Sequence, residues 1–337
     1  MLIGYIGLLL LALVVILAGA ELFTNALEHV GQRLNLSEGL VGSVLAAVAT
    51  ALPETVVPVI AVFFGGTDRA VREDIGVGAI LGSPLMLITL AVALIGLFTG
   101  MQRGWNTPLK PEISGVLRDL GYFLVAYAIA LIGLYVPRPS GGIHAMAGFC
   151  LVFLYAYYVY NTVQASSMLV TKGHGTRADS PLHLHHLGLP HAPLWEACQL
   201  LVGLALIIGG AKLFVIGVEA VGAATGISAL ILSLVIIPIA TEMPEKFNSI
   251  LWVRRGKDTL AFGNVTGAMV FQGTLLPAFG LQLSAWTPGY QVLWAMGLSF
   301  AAALWTLFLA LRRKLTPLAL MVNGSLYVLF FLIIVRS

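Results

Sequence analysis

The sequence predicts an all-α polytopic membrane protein of ten transmembrane helices, built as two five-helix repeats inverted with respect to each other. Three observations carry this. Hydrophobic residues are 59% of the 337 and charged residues only 10%, and the mean hydropathy is +0.95, outside the range of soluble domains. The apolar residues gather into stretches long enough to cross a hydrocarbon layer. The second half of the chain also repeats the first.

Taken in order, the first span covers about 3–31. No basic residue precedes its apolar run, Met1 to Gly19, and no small-residue cleavage site follows, so a retained span is expected rather than a signal peptide. Spans at 38–64, 74–100, 116–136 and 143–170 complete a first repeat, residues 1–170. A linker at 171–194 holds His174, His183, His185, His186 and His191 among Gly and Pro. The second repeat, 195–337, contains spans at 195–223, 227–253, 259–283, 289–311 and 316–335. Cys150 and Cys198 lie in apolar runs, which argues against a disulfide framework or a thiolate metal site.

Basic residues fall on alternate loops. One side collects Arg33, then Arg103, Lys110 and Arg118, then Lys172 and Arg177, then Arg254, Arg255 and Lys257, then Arg312, Arg313 and Lys314. The other side has Arg69, Arg72, Arg138 and Arg336. The positive-inside rule then predicts a multi-pass protein of the cell membrane with both termini outside and the His-rich linker in the cytoplasm.

The repeat is visible without gaps when residues 210–245 are laid over 19–54. Gly19-Ala20, Leu22-Phe23, Glu28, Val30-Gly31, Ser37, Val44, Ala49-Thr50 and Pro53-Glu54 then meet identical residues. Shared apolarity does not bring glutamates, prolines and threonines into register. An odd number of spans per repeat makes the two halves enter the membrane in opposite senses. That is the plan of secondary transporters, whose site lies at the midplane where broken helices meet.

The repeat carries a paired signature, Ala49-Thr50-Ala51-Leu52-Pro53-Glu54 and Ala240-Thr241-Glu242-Met243-Pro244-Glu245. A carboxylate inside an apolar span is costly, and its default reading is functional. The proline before each glutamate removes a backbone donor and frees carbonyl oxygens to face a cation.

These signatures, with Gly78-Ala79-Ile80-Leu81-Gly82-Ser83 and Gly263-Asn264-Val265-Thr266-Gly267-Ala268, resemble the alpha-repeats of the cation/calcium exchanger superfamily, nearest its sodium/calcium exchanger branch. The resemblance spans nearly the whole chain. It implies a core around spans two, three, seven and eight, with spans one and six as long tilted helices that slide over it. It also implies a calcium site made by Glu54 and Glu245 with backbone oxygens of Thr50 and Thr241, a set suited to a hard divalent cation.

The flanking sodium sites of the family are less well kept. Ser83 remains, but its counterpart is Ala268, and the hydroxyls after each signature threonine are replaced by Ala51 and Glu242. The polar positions one turn beyond are Leu87 and Gln272. Glu242 and Lys246, four apart, suit an ordinary ion pair; the sharper reading makes Glu242 a protonatable substitute ligand and Lys246 a tethered cation. Glu21 and Lys212, at equivalent repeat positions, are candidates to pair or to line a wet cavity, and Glu28 and Glu219 to reach an aqueous edge. Asn25 is read as a polar contact of the sliding helix. The linker histidines have no firm ligand spacing, so a solvated linker is the plainer reading than a metal or pH sensor.

The expected activity is secondary antiport of Ca2+ or a related divalent cation against Na+ or H+ by alternating access, through a site of Thr50, Glu54, Ser83, Thr241, Glu242, Glu245 and Gln272. The alternative is a degenerate exchanger fold that binds or senses ions without coupled transport. An intramembrane enzyme is disfavoured because no HExxH, GxSxG or paired Asp motif occurs. No covalently bound cofactor and no nucleic acid is expected. The partners are membrane lipid and inorganic cations, and the sequence leaves the oligomeric state open.

Overall fold

The computed structural model describes residues 2–51, 80, 82–136, 141–190, 192–225, 242–283 and 290–336. Its elements are helices. We label them α1 (Leu2–Arg33), α2 (Glu38–Thr50), α3 (Gly82–Arg103), α4 (Ile113–Tyr135), α5 (Gly141–Leu169), α6 (Pro193–Thr225), α7 (Met243–Arg254), α8 (Asp258–Leu283), α9 (Tyr290–Leu311) and α10 (Pro317–Arg336). Among the described residues, seven helices are long and apolar enough to cross a membrane: α1, α3, α4, α5, α6, α9 and α10. The long helix α8 falls outside that group because Asn264, Thr266, Gln272 and Thr274 lower its hydropathy; all four are buried. The expected second, third and seventh spans run partly through 52–79 and 226–241, outside the described residues.

Local chemistry explains the helix ends. Asn35 takes a left-handed conformation (φ 52°) just after α1, and Leu36 N–H reaches back to Gly31 O at 2.9 Å, closing the orphan carbonyls. Ser37 then caps α2, its Oγ accepting from Leu40 N–H at 3.2 Å. The Glu112 carboxylate caps α4 through Ser114 and Gly115 N–H at 2.9 and 2.7 Å. Wider π turns occur in α2 over Val41–Ala46, in α3 over Leu87–Ala91 and directly after α5 over Val170–His174; such turns are frequent at functional sites.

Packing between helices rests on small residues, as expected where lipid removes the hydrophobic drive for association. The contact of α1 with α6 is reciprocal. A Cβ on Gly19 would sit 2.9 Å from Ile207 N, and a Cβ on Gly210 would sit 2.8 Å from Ile16 Cγ1. These pairs exchange when the second half is laid over the first as above, Gly210 on Gly19 and Ile207 on Ile16. The approach of α2 to α8 is closer still, since a Cβ on Gly267 would lie 2.1 Å from Ser43 O.

The loops predicted to share one side do meet at one end of the bundle. Thr176 N–H in the linker donates to Leu36 O at 2.9 Å, and Lys257 Nζ lies 2.9 Å from Asp179 Oδ2. Arg103 pairs with Asp258 at 2.8 Å and also donates to Val253 O. Leu109 N–H donates to Leu315 O at 2.9 Å.

Three expectations change here. Glu28 does not reach an aqueous edge; it is buried, accepting from Lys257 Nζ at 2.7 Å and Trp252 Nε1 at 2.9 Å. Glu21 pairs with Arg255 at 2.5 Å and His183 at 3.3 Å, while Lys212 is exposed. A carboxylate on α1 is nearer to the basic α7–α8 turn than to the equivalent position of α6. The linker is docked and not simply solvated. Asn25 Nδ2 donates to Ser180 Oγ (3.1 Å) and Pro181 O (3.2 Å), and Asn25 Oδ1 accepts from His183 N–H (3.1 Å). Leu184 N–H donates to Gln199 Oε1 at 2.9 Å. The side chain of Glu219 lies outside the described residues.

Candidate functional site

α2 ends at Thr50, and α7 begins at Met243 with Pro244 at its start, where a missing N–H costs no helical hydrogen bond. Glu242 occupies the cap position and Glu245 the first turn, so both carboxylates stand at the opening of α7. Both are buried. Among the described residues, neither Glu245 carboxylate oxygen has a hydrogen-bond partner. The Thr50 side chain lies close to that carboxylate, although its hydroxyl is engaged with Ala46 O at 3.0 Å.

Glu242 is held differently. Lys246 Nζ donates to its Oε2 at 3.1 Å and contacts Met86 Sδ on α3 at 3.3 Å, while Ser83 approaches the same carboxylate. The other oxygen, Oε1, has no hydrogen-bond partner among the described residues. The structure thus brings together Glu242, Lys246 and Ser83, and sets Thr50 beside Glu245. Gln272 on α8 is buried with neither amide atom partnered among the described residues, and it is hydrogen-bonded to neither Glu242 nor Glu245. Glu54 and Thr241 lie outside the described residues. Ala51, Leu87 and Ala268 are buried, so the positions that lost a polar group present only methyl and methylene carbon.

Sequence reasoning missed several polar groups here. Asn248, one turn after Glu245, has both amide atoms buried and unpartnered. Its spacing of three from Glu245 was the available signal. Asn264 donates to Glu245 O (3.0 Å) and Ser249 Oγ (3.1 Å), tying α8 to the first turns of α7. Asp119 on α4 accepts from Ser43 Oγ (2.7 Å), Thr266 Oγ1 (2.7 Å) and Tyr158 OH (3.0 Å), joining α2, α4, α5 and α8 behind the site.

Buried polar atoms are normally satisfied, and each one that is not costs about 1–3 kcal/mol, more when charged. Among the described residues, oxygens of Glu242, Glu245, Asn248 and Gln272 are buried without a hydrogen-bond partner. The donors are carboxylate and amide oxygens, which suit a hard cation. Among the described residues no group of three or more His, Cys, Asp and Glu side chains is arranged to hold a metal ion, a search that covers His174, His183, His185 and His186; His191 lies outside the described residues.

A helical bundle with apolar spans, helices that begin or end at midchain acidic signatures and buried unpartnered oxygens defines a membrane carrier of cations. The family model described as sodium/calcium exchanger protein matches residues 4–164 and 195–336, and the chain belongs to that family. Its members are transporters, not enzymes, and the chain is accordingly a multi-pass membrane protein. It is 27% identical over 269 residues to CaxA of Alkalimonas amylolytica, which carries the name of an antiporter, covering 78% of this chain and 75% of that one. It is 25% identical over 312 residues to the inner membrane protein YrbG of Escherichia coli K12, covering 89% and 88%. The solved structure of the sodium-calcium exchanger NCX_Mj, soaked with 2.5 mM Na+ and 0.1 mM Ca2+, shares the fold at a TM-score of 0.74, with 21% identity over 98% of both chains.

Proposed function

We propose that this exchanger-family protein is a secondary antiporter that moves Ca2+ or a related divalent cation against Na+ or H+ by alternating access. The cation binds near the bilayer midplane between Glu54 and Glu245, with oxygens of Thr50 and Thr241, and Ser83, Glu242 and Gln272 line the flanks. The observation that carries the reading is the Glu245 carboxylate, buried beside Thr50 with neither oxygen partnered. A second carboxylate from Glu54 would neutralise a divalent charge, as the paired signatures suggest.

The wider reading has ten spans in two inverted repeats, 1–170 and 195–337, with both termini outside and the linker in the cytoplasm. It is supported by the reciprocal Gly19–Ile207 and Gly210–Ile16 approaches and by the gathering of the basic loops at one end. The test is calcium uptake into proteoliposomes driven separately by a sodium gradient and by a proton gradient. Uptake driven by either supports antiport and names the counter-ion. Calcium binding without flux under both would favour a non-transporting ion-binding protein.

A further inference from the structure

A lysine buried within an apolar bundle needs a reason. Lys246 follows Glu245 directly and projects its ammonium to Glu242 Oε2 at 3.1 Å and Met86 Sδ at 3.3 Å. A thioether is a weak acceptor, so among the described residues the ammonium has a single strong partner. That partner's second oxygen, Oε1, is buried with no hydrogen-bond partner among the described residues. Ser83 on α3 approaches the same carboxylate. The hydroxyl of Tyr327 on α10, also buried and unpartnered, is close enough to Glu242 to feel its charge. An i,i+4 pair serving only to brace the first turn of α7 would not need its ammonium turned toward the sulfur of Met86 on α3. A buried carboxylate with the Ser83 hydroxyl beside it, facing a single positive charge, offers oxygen acceptors that could equally hold a monovalent cation.

We propose that Lys246 is a resident cation: its ammonium fills, in place of a soluble ion, a monovalent position formed by Glu242 and Ser83. The inference rests on reading this region as the ion site of an antiporter. It gives the site a fixed positive charge beside the divalent position. One counter-ion that would otherwise bind Glu242 is replaced by a side chain that cannot leave, and fewer counter-ion charges move per divalent cation. Binding next to Glu245 is then tuned by a charge carried on the same helical turn.

The test reads sodium binding and not flux, so it can fail independently of the antiport reading. Purified wild type, Lys246→Met and the double variant Glu242→Gln/Lys246→Met are unfolded thermally in detergent, with sodium chloride exchanged for choline chloride at constant ionic strength. A ligand that binds only the folded state raises the midpoint with its concentration. Lys246→Met should gain a sodium-dependent rise of several degrees beyond that of wild type, because sodium enters the vacated position, and the double variant should lose the gain. If Lys246→Met fails to fold in choline, recovery in sodium or in the double variant supports the proposal equally. The proposal is overturned if Lys246→Met responds to sodium as wild type does, if the double variant responds as strongly as the single one, or if neither variant folds in either salt.

Discussion

The Glu28 carboxylate on α1 accepts a hydrogen bond from Lys257 Nζ, just before α8, at 2.7 Å. Trp252 Nε1 on α7 donates to the same carboxylate at 2.9 Å, and Lys257 also donates to Arg177 O in the linker at 2.6 Å. One buried ion pair thus joins the long first helix, the α7–α8 turn and the linker. On the antiport reading proposed above, α1 would have to release or carry this pair if that end of the bundle opens.

Removing one partner should be worse than removing both. Lys257→Met strands a buried carboxylate, for which losses of about 3–5 kcal/mol are usual, with Arg255 at 3.8 Å only partly compensating. Glu28→Gln/Lys257→Met should recover much of that stability. Equilibrium unfolding in detergent compares the variants; equal midpoints for Lys257→Met and wild type would show that the pair holds nothing.

Asp119 should act as a structural hub. Asp119→Ala removes an acceptor shared by Ser43, Thr266 and Tyr158; Thr266 keeps Phe262 O at 2.9 Å and Tyr158 keeps Ser43 O at 3.3 Å, while the Ser43 hydroxyl must find another. Each buried group left unpaired costs about 1–3 kcal/mol. Thermal unfolding should show a larger drop for Asp119→Ala than for Ser43→Ala, which removes one bond and leaves two. The reverse order would remove Asp119 from that role.

Two helical glycines offer a contrast. Gly267→Ala would force a methyl to within 2.1 Å of Ser43 O, backbone against backbone, so α2 and α8 must separate. Gly297→Ala on α9 meets nothing within 4 Å and should be neutral or stabilising by up to about 1 kcal/mol. Expression and thermal stability of the two variants test the helix approach directly; a tolerated Gly267→Ala contradicts it.

The features legible in the sequence were those set by local pattern. Apolar length marks the helices, loop charge marks which loops meet, and the four-residue spacing of Glu242 and Lys246 anticipates their pair. What the sequence could not show depends on partners far along the chain. Asp119 meets hydroxyls 76, 147 and 39 positions away, and no periodicity reports such a convergence. The linker's order comes largely from its backbone, as in His183 N–H to Asn25 Oδ1, which side-chain chemistry does not announce. Glu28 was misjudged for the same reason: its depth along α1 was readable, but not the basic turn folded over it.

The central claim is that Glu245 holds the transported cation, and the most direct measurement is calcium uptake by proteoliposomes of wild type and Glu245→Gln, side by side under one imposed gradient. The substitution keeps the shape and removes the charge. The account predicts gradient-driven uptake by wild type and at least about a hundredfold loss in Glu245→Gln, since a neutral amide forfeits roughly 3 kcal/mol or more of charge-assisted binding, with the variant still folded by thermal unfolding. Calcium uptake by Glu245→Gln at the wild-type rate would contradict it.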